Sequence, residues 1–252
     1  MSLFDHPLAL ALCTVLVLAA TLEVSHRLGA RFGIRDQAEW KDQIASIRDS
    51  FFVMTSLFLG FTLALVATRF AERQSLLVEE AAAIRTTYER AGLINEQYRE
   101  HARTLLRQYV DYRLIYDREI FGTPPFNDAV QHSSRITRLL WEDAEDISHS
   151  DRTAVAAAYI TSINQLIEVG AKRVAARENR IPLELWILLS LVSILTVLAQ
   201  GLTLRNRFWI NLVLVPLTIA IVVSLIADLD APTTGFIRIE DYAMQRLKAA
   251  LG

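Results

Sequence analysis

Charged side chains stand directly beside two long uncharged segments of this sequence, where they could attract, select or hold ions. Rings of carboxylates attract cations at the entrance of a pore, whereas a buried acid packed against an arginine forms a structural ion pair. The first group follows residues 51–68 and the second follows residues 208–227. The groups are Arg69, Glu72, Arg73, Glu79 and Glu80, and then Asp228, Asp230 and Arg238.

Both interpretations stay open for Glu79 and Glu80. The run Ala81–Ala83 next to them is typical of close helix packing, where Arg85 or Arg173 could supply an ion pair.

The acids after residue 227 oppose the helix dipole, which prefers cations at a helix C-terminus. We therefore interpret residues 228–232 as a structured turn held by Arg238 or Arg69.

The uncharged segment 51–68 carries small residues at four-residue intervals, which places them along one face of a helix. Such a stripe lets another helix backbone approach closely, within a subunit or between subunits. The second interpretation is a pore face with larger or hydroxyl side chains as a constriction. The two are compatible if subunits pack around a common axis. The small residues are Ser56, Gly60, Ala64 and Thr68, and the constriction candidates are Thr55, Phe58, Thr62 and Leu65.

The sequence lacks the signatures of catalysis and of cofactor or metal binding. It contains no GxSxG, HExxH or Walker motif and no glycine-rich phosphate loop. Asp146 and His149 resemble half of a carboxylate-bridged metal site, but no second half matches them, and we interpret them as a solvated face with Glu142 and Glu145. We predict a protein that is not an enzyme and that needs no metal or cofactor.

Four apolar segments dominate the 252 residues, of which 52% are hydrophobic and only 21% charged. Residues 7–24, 51–68, 185–204 and 208–227 each approach the roughly 20 residues that cross about 30 Å of hydrocarbon. The net charge of −2 excludes a broadly basic nucleic-acid binder. We therefore predict an all-α multipass protein of the lipid bilayer with four transmembrane helices.

Residues between the second and third spans are too polar for lipid, and their apolar positions recur at helical spacing. They predict a solvated four-helix domain whose first helix continues the second span without a break and whose fourth helix is capped by Asp151. We predict four parts of the chain. Transmembrane helices one and two occupy residues 1–70, and the solvated helical domain occupies residues 71–181. Residues 182–228 form a transmembrane hairpin that turns at Arg205–Arg207, and residues 229–252 form a C-terminal tail.

Lysine and arginine in short loops favour the inner side of a membrane. By that rule the two short loops lie inside and the helical domain lies outside. The loop residues are Arg27, Arg31, Arg35, Lys41 and Arg48 in the first loop, and Arg205 and Arg207 in the second.

Two motifs beside spans resemble those of bestrophin-like bacterial membrane proteins, a family of unknown function. The four spans and the central helical domain extend the resemblance over nearly the whole chain, although Ala231 stands where the family commonly has a basic residue. The motifs are GFTLAL at 60–65 with Arg69-Phe70 and VEEAAAI at 78–84, and then Asp228-Leu229-Asp230, Pro232 and GFIRI at 235–239.

The resemblance implies a homo-oligomer in a bacterial inner membrane, because bestrophins are pentameric anion channels. Their second span lines a hydrophobic neck and continues into a cytoplasmic helical domain, which contradicts the orientation from the charge count. The first hypothesis is accordingly an ion channel in which the second span lines the pathway of a small ion. The alternative is a non-conducting scaffold or sensor whose helical domain binds a partner or ligand.

Overall fold

A computed structural model describes residues 7–33, 38–204, 209–231, 233 and 235–252. Every regular element in this part of the chain is an α-helix, as predicted. The helices are α1 (Pro7–Arg31), α2 (Ala38–Ala91), α3 (Glu96–Arg118), α4 (Pro124–Ser150), α5 (Ala154–Glu178), α6 (Leu183–Thr203), α7 (Trp209–Asp230) and α8 (Tyr242–Leu251).

The chain divides into two compact units. Unit 1 comprises Met1–Arg69 and Arg180–Ile237, and unit 2 comprises Phe70–Asn179 and Arg238–Gly252. The 54-residue helix α2 contributes to both units. It begins well before the predicted span, because residues 38–50 contain no proline or glycine that would interrupt a helix.

Unit 1 is built around α1, which packs against α6 and α7. Its core is apolar, with Leu22, Val66, Val197 and Ile226 almost fully buried. Within the described residues, four helical stretches are long and apolar enough to cross a membrane, which confirms the membrane prediction. They are Leu8–Arg31, Asp42–Ala91, Ala154–Thr203 and Val213–Asp230.

Unit 2 contains the second half of α2 together with α3, α4, α5 and α8. In it α4 packs against α3 and α5, and α8 packs against α3. The predicted cap of α5 was wrong by two residues: Thr153 is the N-cap and its hydroxyl accepts from the Ala156 amide, while Asp151 ends α4. The carboxylate of Asp151 instead accepts from the Thr153 amide at 2.9 Å.

The segment predicted as a C-terminal tail contains α8. Met244, Leu247 and Leu251 are buried, at a spacing of three and four residues that suits one helical face. Polar contacts reinforce the packing, since the Leu251 carbonyl accepts from Arg107 Nε at 2.9 Å and Lys248 pairs with Asp111. The predicted turn at Arg205–Arg207, together with Arg35 and Pro232, lies outside the described residues.

Candidate functional site

One face of α2 is exposed along the whole uncharged segment. Ser56, Gly60, Ala64 and Thr68 are exposed there. They alternate with large apolar side chains that are also exposed, because steps of three and four residues return to the same face. These are Val53, Leu57 and Phe61, which are 70%, 69% and 66% exposed.

The opposite face of α2 is buried in unit 1 and includes two of the constriction candidates. Thr55 and Thr62 are only 3% and 6% exposed. The Thr55 hydroxyl lies 2.6 Å from the Thr196 hydroxyl of α6, and Thr196 also bonds the Phe51 and Val192 carbonyls. Phe58 and Leu65 are half-buried. The eight candidates therefore divide between two faces and the boundary between them.

Asp228 and Asp230, at the end of α7, are buried and bind backbone amides. The two Asp228 oxygens accept from Phe236 N at 2.6 Å and from Ile237 N at 2.9 Å. Asp230 accepts from Ile181 N at 3.2 Å, so it connects the end of α7 to the segment before α6. Arg238 is exposed and Arg69 is half-buried.

Gly235 explains the glycine of the second motif, because no side chain fits at this position. A Cβ atom there would lie 2.3 Å from Asp228 Oδ1, and two backbone amides already hold that carboxylate in place. We expect Gly235→Ala to destabilise the protein by about 1–3 kcal/mol through overpacking.

A thermal melt of the purified protein measures this loss, with Gly60→Ala as the matched control. Nothing lies within 4 Å of a Cβ atom at position 60, and alanine is the better helix former. A melting temperature of Gly235→Ala at or above that of Gly60→Ala would contradict the assignment.

The charged residues that follow the uncharged segment of α2 separate into exposed and buried groups. Glu72 and Glu79 are exposed, and Glu79 accepts from the Ser75 hydroxyl at 3.1 Å. Arg73 is buried and donates to the carbonyls of Ala176 and Asn179, both at 3.1 Å. Arg73 therefore satisfies carbonyls at the C-terminal end of α5, which have no partner inside the helix.

Glu80 lies at the centre of a fully buried charge cluster in unit 2. Arg113 of α3 binds the Glu80 carboxylate through two nitrogens, Nε and Nη2, each of which lies 2.9 Å from a carboxylate oxygen. Arg173 of α5, one of the partners considered from sequence, donates to it at 2.5 Å. The Tyr109 hydroxyl donates at 2.7 Å. One carboxylate thus connects α2, α3 and α5.

The cluster continues from Glu80 through Arg173, which also pairs with Asp117. Arg177 donates to the Tyr116 carbonyl at 2.5 Å and to the Glu119 carbonyl at 2.6 Å. Two guanidinium groups contact the Tyr116 ring. The Cζ atom of Arg113 lies 4.2 Å from the ring centroid, and that of Arg177 lies 4.5 Å from it. Such cation–π contacts stabilise desolvated cations.

The pKa values of Tyr109 and Arg113 are both raised, as expected beside an ionised Glu80. Burial and the Glu80 carboxylate raise the pKa of the Tyr109 hydroxyl. Burial lowers the pKa of Arg113, but the attractions of Glu80, Tyr109 and Tyr116 together outweigh that effect and leave the pKa raised. The cluster therefore keeps its charges at physiological pH, and it serves to hold helices together.

Sequence reasoning missed Arg113, Tyr109 and Gly170 as members of this cluster. A Cβ atom at Gly170 would lie 2.7 Å from the Tyr109 hydroxyl and 3.2 Å from Glu80 Oε1. The absence of a side chain at this position therefore leaves space for Tyr109 and Glu80 beside α5. The available signal was Arg113 itself, which stands on the apolar face of α3 and so requires a buried acid.

The described residues contain no group of three or more His, Cys, Asp or Glu side chains placed to hold a metal ion. Glu142, Glu145, Asp146 and His149 are exposed on α4.

Comparisons with known proteins agree with this architecture. A variant of a bacterial bestrophin homologue from Klebsiella pneumoniae has a TM-score of 0.70 at 13% identity, covering 97% of this chain and 96% of that chain. Another crystal structure of the Klebsiella pneumoniae homologue has a TM-score of 0.68 at 14% identity, covering 95% and 96%. These likenesses show the fold.

No functionally curated protein matches the chain by sequence. Residues 12–244 match the model of the Bestrophin-like domain. Since this match spans most of the chain, the protein belongs to the bestrophin-like family.

Proposed function

We propose that this protein is a homo-oligomeric ion channel in which α2 lines the pathway. The observation that carries the proposal is the exposed, uncharged face of α2 that contains Ser56, Gly60, Ala64 and Thr68. Helices around a shared axis present one face to the axis and their flanks to neighbouring subunits. The family assignment supports the channel class, and a pentamer is the ring that the resemblance implies.

The two sequence interpretations of α2 combine in this arrangement. Small side chains at four-residue intervals let neighbouring α2 helices approach closely, and the large side chains at positions 53, 57 and 61 narrow the path between them. Phe58 and Leu65, at the boundary of the exposed face, are placed to set the width of a constriction. Thr55 holds α2 on its own subunit because it bonds Thr196, and Thr62 is buried on the same face.

Glu72 and Glu79 are the acids available to a vestibule. Both are exposed on α2 after the uncharged segment, so rings of these carboxylates would attract cations. Three other acids are not available to a vestibule, because arginines or backbone amides already bind their carboxylates. These acids are Glu80, Asp228 and Asp230.

The first experiment is native mass spectrometry of the protein in mild detergent, followed by ion flux into liposomes. We expect a ring of about five subunits and flux that depends on the protein. A monomer or dimer would leave no shared axis and would contradict the channel, in favour of a scaffold or sensor. A ring without flux would contradict conduction while leaving the assembly intact.

We further propose that unit 2 lies outside a bacterial inner membrane, as the arginine and lysine residues of the short loops predict. Because α8 belongs to unit 2, a reporter fused after Gly252 reports the side on which this unit lies. We expect alkaline phosphatase to be active and green fluorescent protein to be dark in such fusions. The reverse pattern would place unit 2 in the cytoplasm, as in bestrophins.

A further inference from the structure

A small cavity of unit 2, partly open to solvent, lies between α3, α4 and α5, next to the charge cluster. Its volume is about 150 Å³. Arg113 and Tyr109 line it from α3, Ser134 from α4, and Gly170 and Ala171 from α5. The channel proposal does not use this cavity.

Two hydrogen-bond donors at the cavity remain uncommitted. Arg113 Nε and Nη2 donate to Glu80, but Nη1 has no acceptor among the described residues, although the Arg113 side chain is only 1% exposed. Ser134 is exposed to solvent, and its hydroxyl has no protein partner in the described part of the chain. By contrast, Ser133 and Thr137 donate to carbonyls of α4, and Tyr109 donates to Glu80.

The charges around the cavity favour an anion. Arg113 is the charged side chain that lines it, and no carboxylate lines it. The adjoining cluster contains three guanidinium groups, those of Arg113, Arg173 and Arg177, and two carboxylates, those of Glu80 and Asp117. The charges of the cluster are buried, Arg113 being only 1% exposed, and buried charges interact more strongly than charges in water.

We infer that this cavity binds a small monovalent anion of the size of chloride or nitrate. Arg113 Nη1 supplies the charged donor and the Ser134 hydroxyl supplies a neutral one. The bound anion connects α3 to α4 and compensates the excess positive charge of the cluster. Its function is to stabilise unit 2, whether or not ions pass along α2.

Thermal unfolding of the full-length protein in detergent tests this inference. The protein is titrated with sodium chloride or sodium nitrate, and sodium gluconate keeps the ionic strength constant because gluconate is too large for the cavity. A ligand that binds only the folded state raises the free energy of unfolding by RT ln(1 + [L]/Kd), so the melting temperature rises once the ligand concentration exceeds Kd. We expect the melting temperature to rise with the logarithm of the chloride or nitrate concentration, over the gluconate reference.

Three variants assign the effect to the cavity. Ala171→Leu places a larger side chain at the cavity without removing any charge of the cluster, and we expect the anion-dependent shift to be lost. Ala175→Leu is the matched control, because Ala175 is exposed one turn further along α5 and does not line the cavity. Ser134→Ala removes the neutral donor and should weaken the apparent affinity about fivefold, the effect of one hydrogen bond of about 1 kcal/mol.

The inference is overturned if the wild-type protein shows no shift beyond gluconate, or if Ala171→Leu keeps the full shift. A direct readout is anomalous scattering from crystals grown in bromide. A peak within reach of Arg113 Nη1 in the wild-type protein, absent in Ala171→Leu, supports the site, and an empty cavity at saturating bromide contradicts it.

Discussion

Glu80→Ala is expected to lower the free energy of unfolding by about 3–5 kcal/mol, the usual effect of removing one partner from a buried ion pair. The Arg113 and Arg173 guanidinium groups would stay buried without their shared carboxylate. The Tyr109 hydroxyl would lose its acceptor as well. The measurement is a thermal or denaturant melt of the purified protein, followed by circular dichroism.

Two further variants separate charge from helix propensity and from shape. Glu79→Ala alters the neighbouring residue, which is exposed and accepts from Ser75 alone, so its stability should change by less than about 0.5 kcal/mol. Glu80→Gln keeps the shape of the side chain and one acceptor oxygen. Its loss of unfolding free energy should therefore lie between the losses of Glu79→Ala and Glu80→Ala. Equal melting temperatures for Glu79→Ala and Glu80→Ala would contradict a central role for this carboxylate.

Covalent modification at position 60 is expected to reduce ion flux roughly tenfold, because a charged adduct on the lining face raises the barrier by about 1.4 kcal/mol or more. The experiment uses Gly60→Cys and a charged methanethiosulfonate reagent. Cys13 is the single cysteine of the chain and is exposed, so all variants carry Cys13→Ser.

Thr62→Cys is the matched control for this modification. Position 62 is on the same helix and at nearly the same depth, but it is only 6% exposed and belongs to the buried face. We expect it to react slowly and to leave flux unchanged. Modification at position 60 without any change in flux would mean that this face contacts lipid and not an ion pathway between subunits, and α2 would lose its proposed role.

The sequence predicted the helical class and the membrane spans because both depend on long apolar runs. Span length is set by bilayer thickness, and that signal extends over about 20 residues. The start of α2 was less visible, since residues 38–50 are charged and resemble a loop by composition. Helix α8 was missed for a related reason, because a ten-residue helix has little stability of its own and depends on packing against α3.

The charge cluster shows where a sequence without its structure is insufficient. Glu80 and Arg173 could be proposed as partners from their types, but Arg113 is 33 residues from Glu80 along the chain. Only the packing of α3 against the second half of α2 brings them together. In the same way, the spacing on α2 defined a stripe of small residues, whereas the contact of Thr55 with Thr196 depends on α6.

The division of unit 2 between two parts of the chain determines the order of biogenesis. Residues 70–179 are synthesised before α6 and α7, but α8 is synthesised after them. The Leu251 carbonyl cannot reach Arg107 until both later membrane helices have left the ribosome. Unit 2 therefore stays incompletely packed along α3 until α8 has been synthesised. Synthesis of α6 and α7 consequently precedes the last packing step of unit 2.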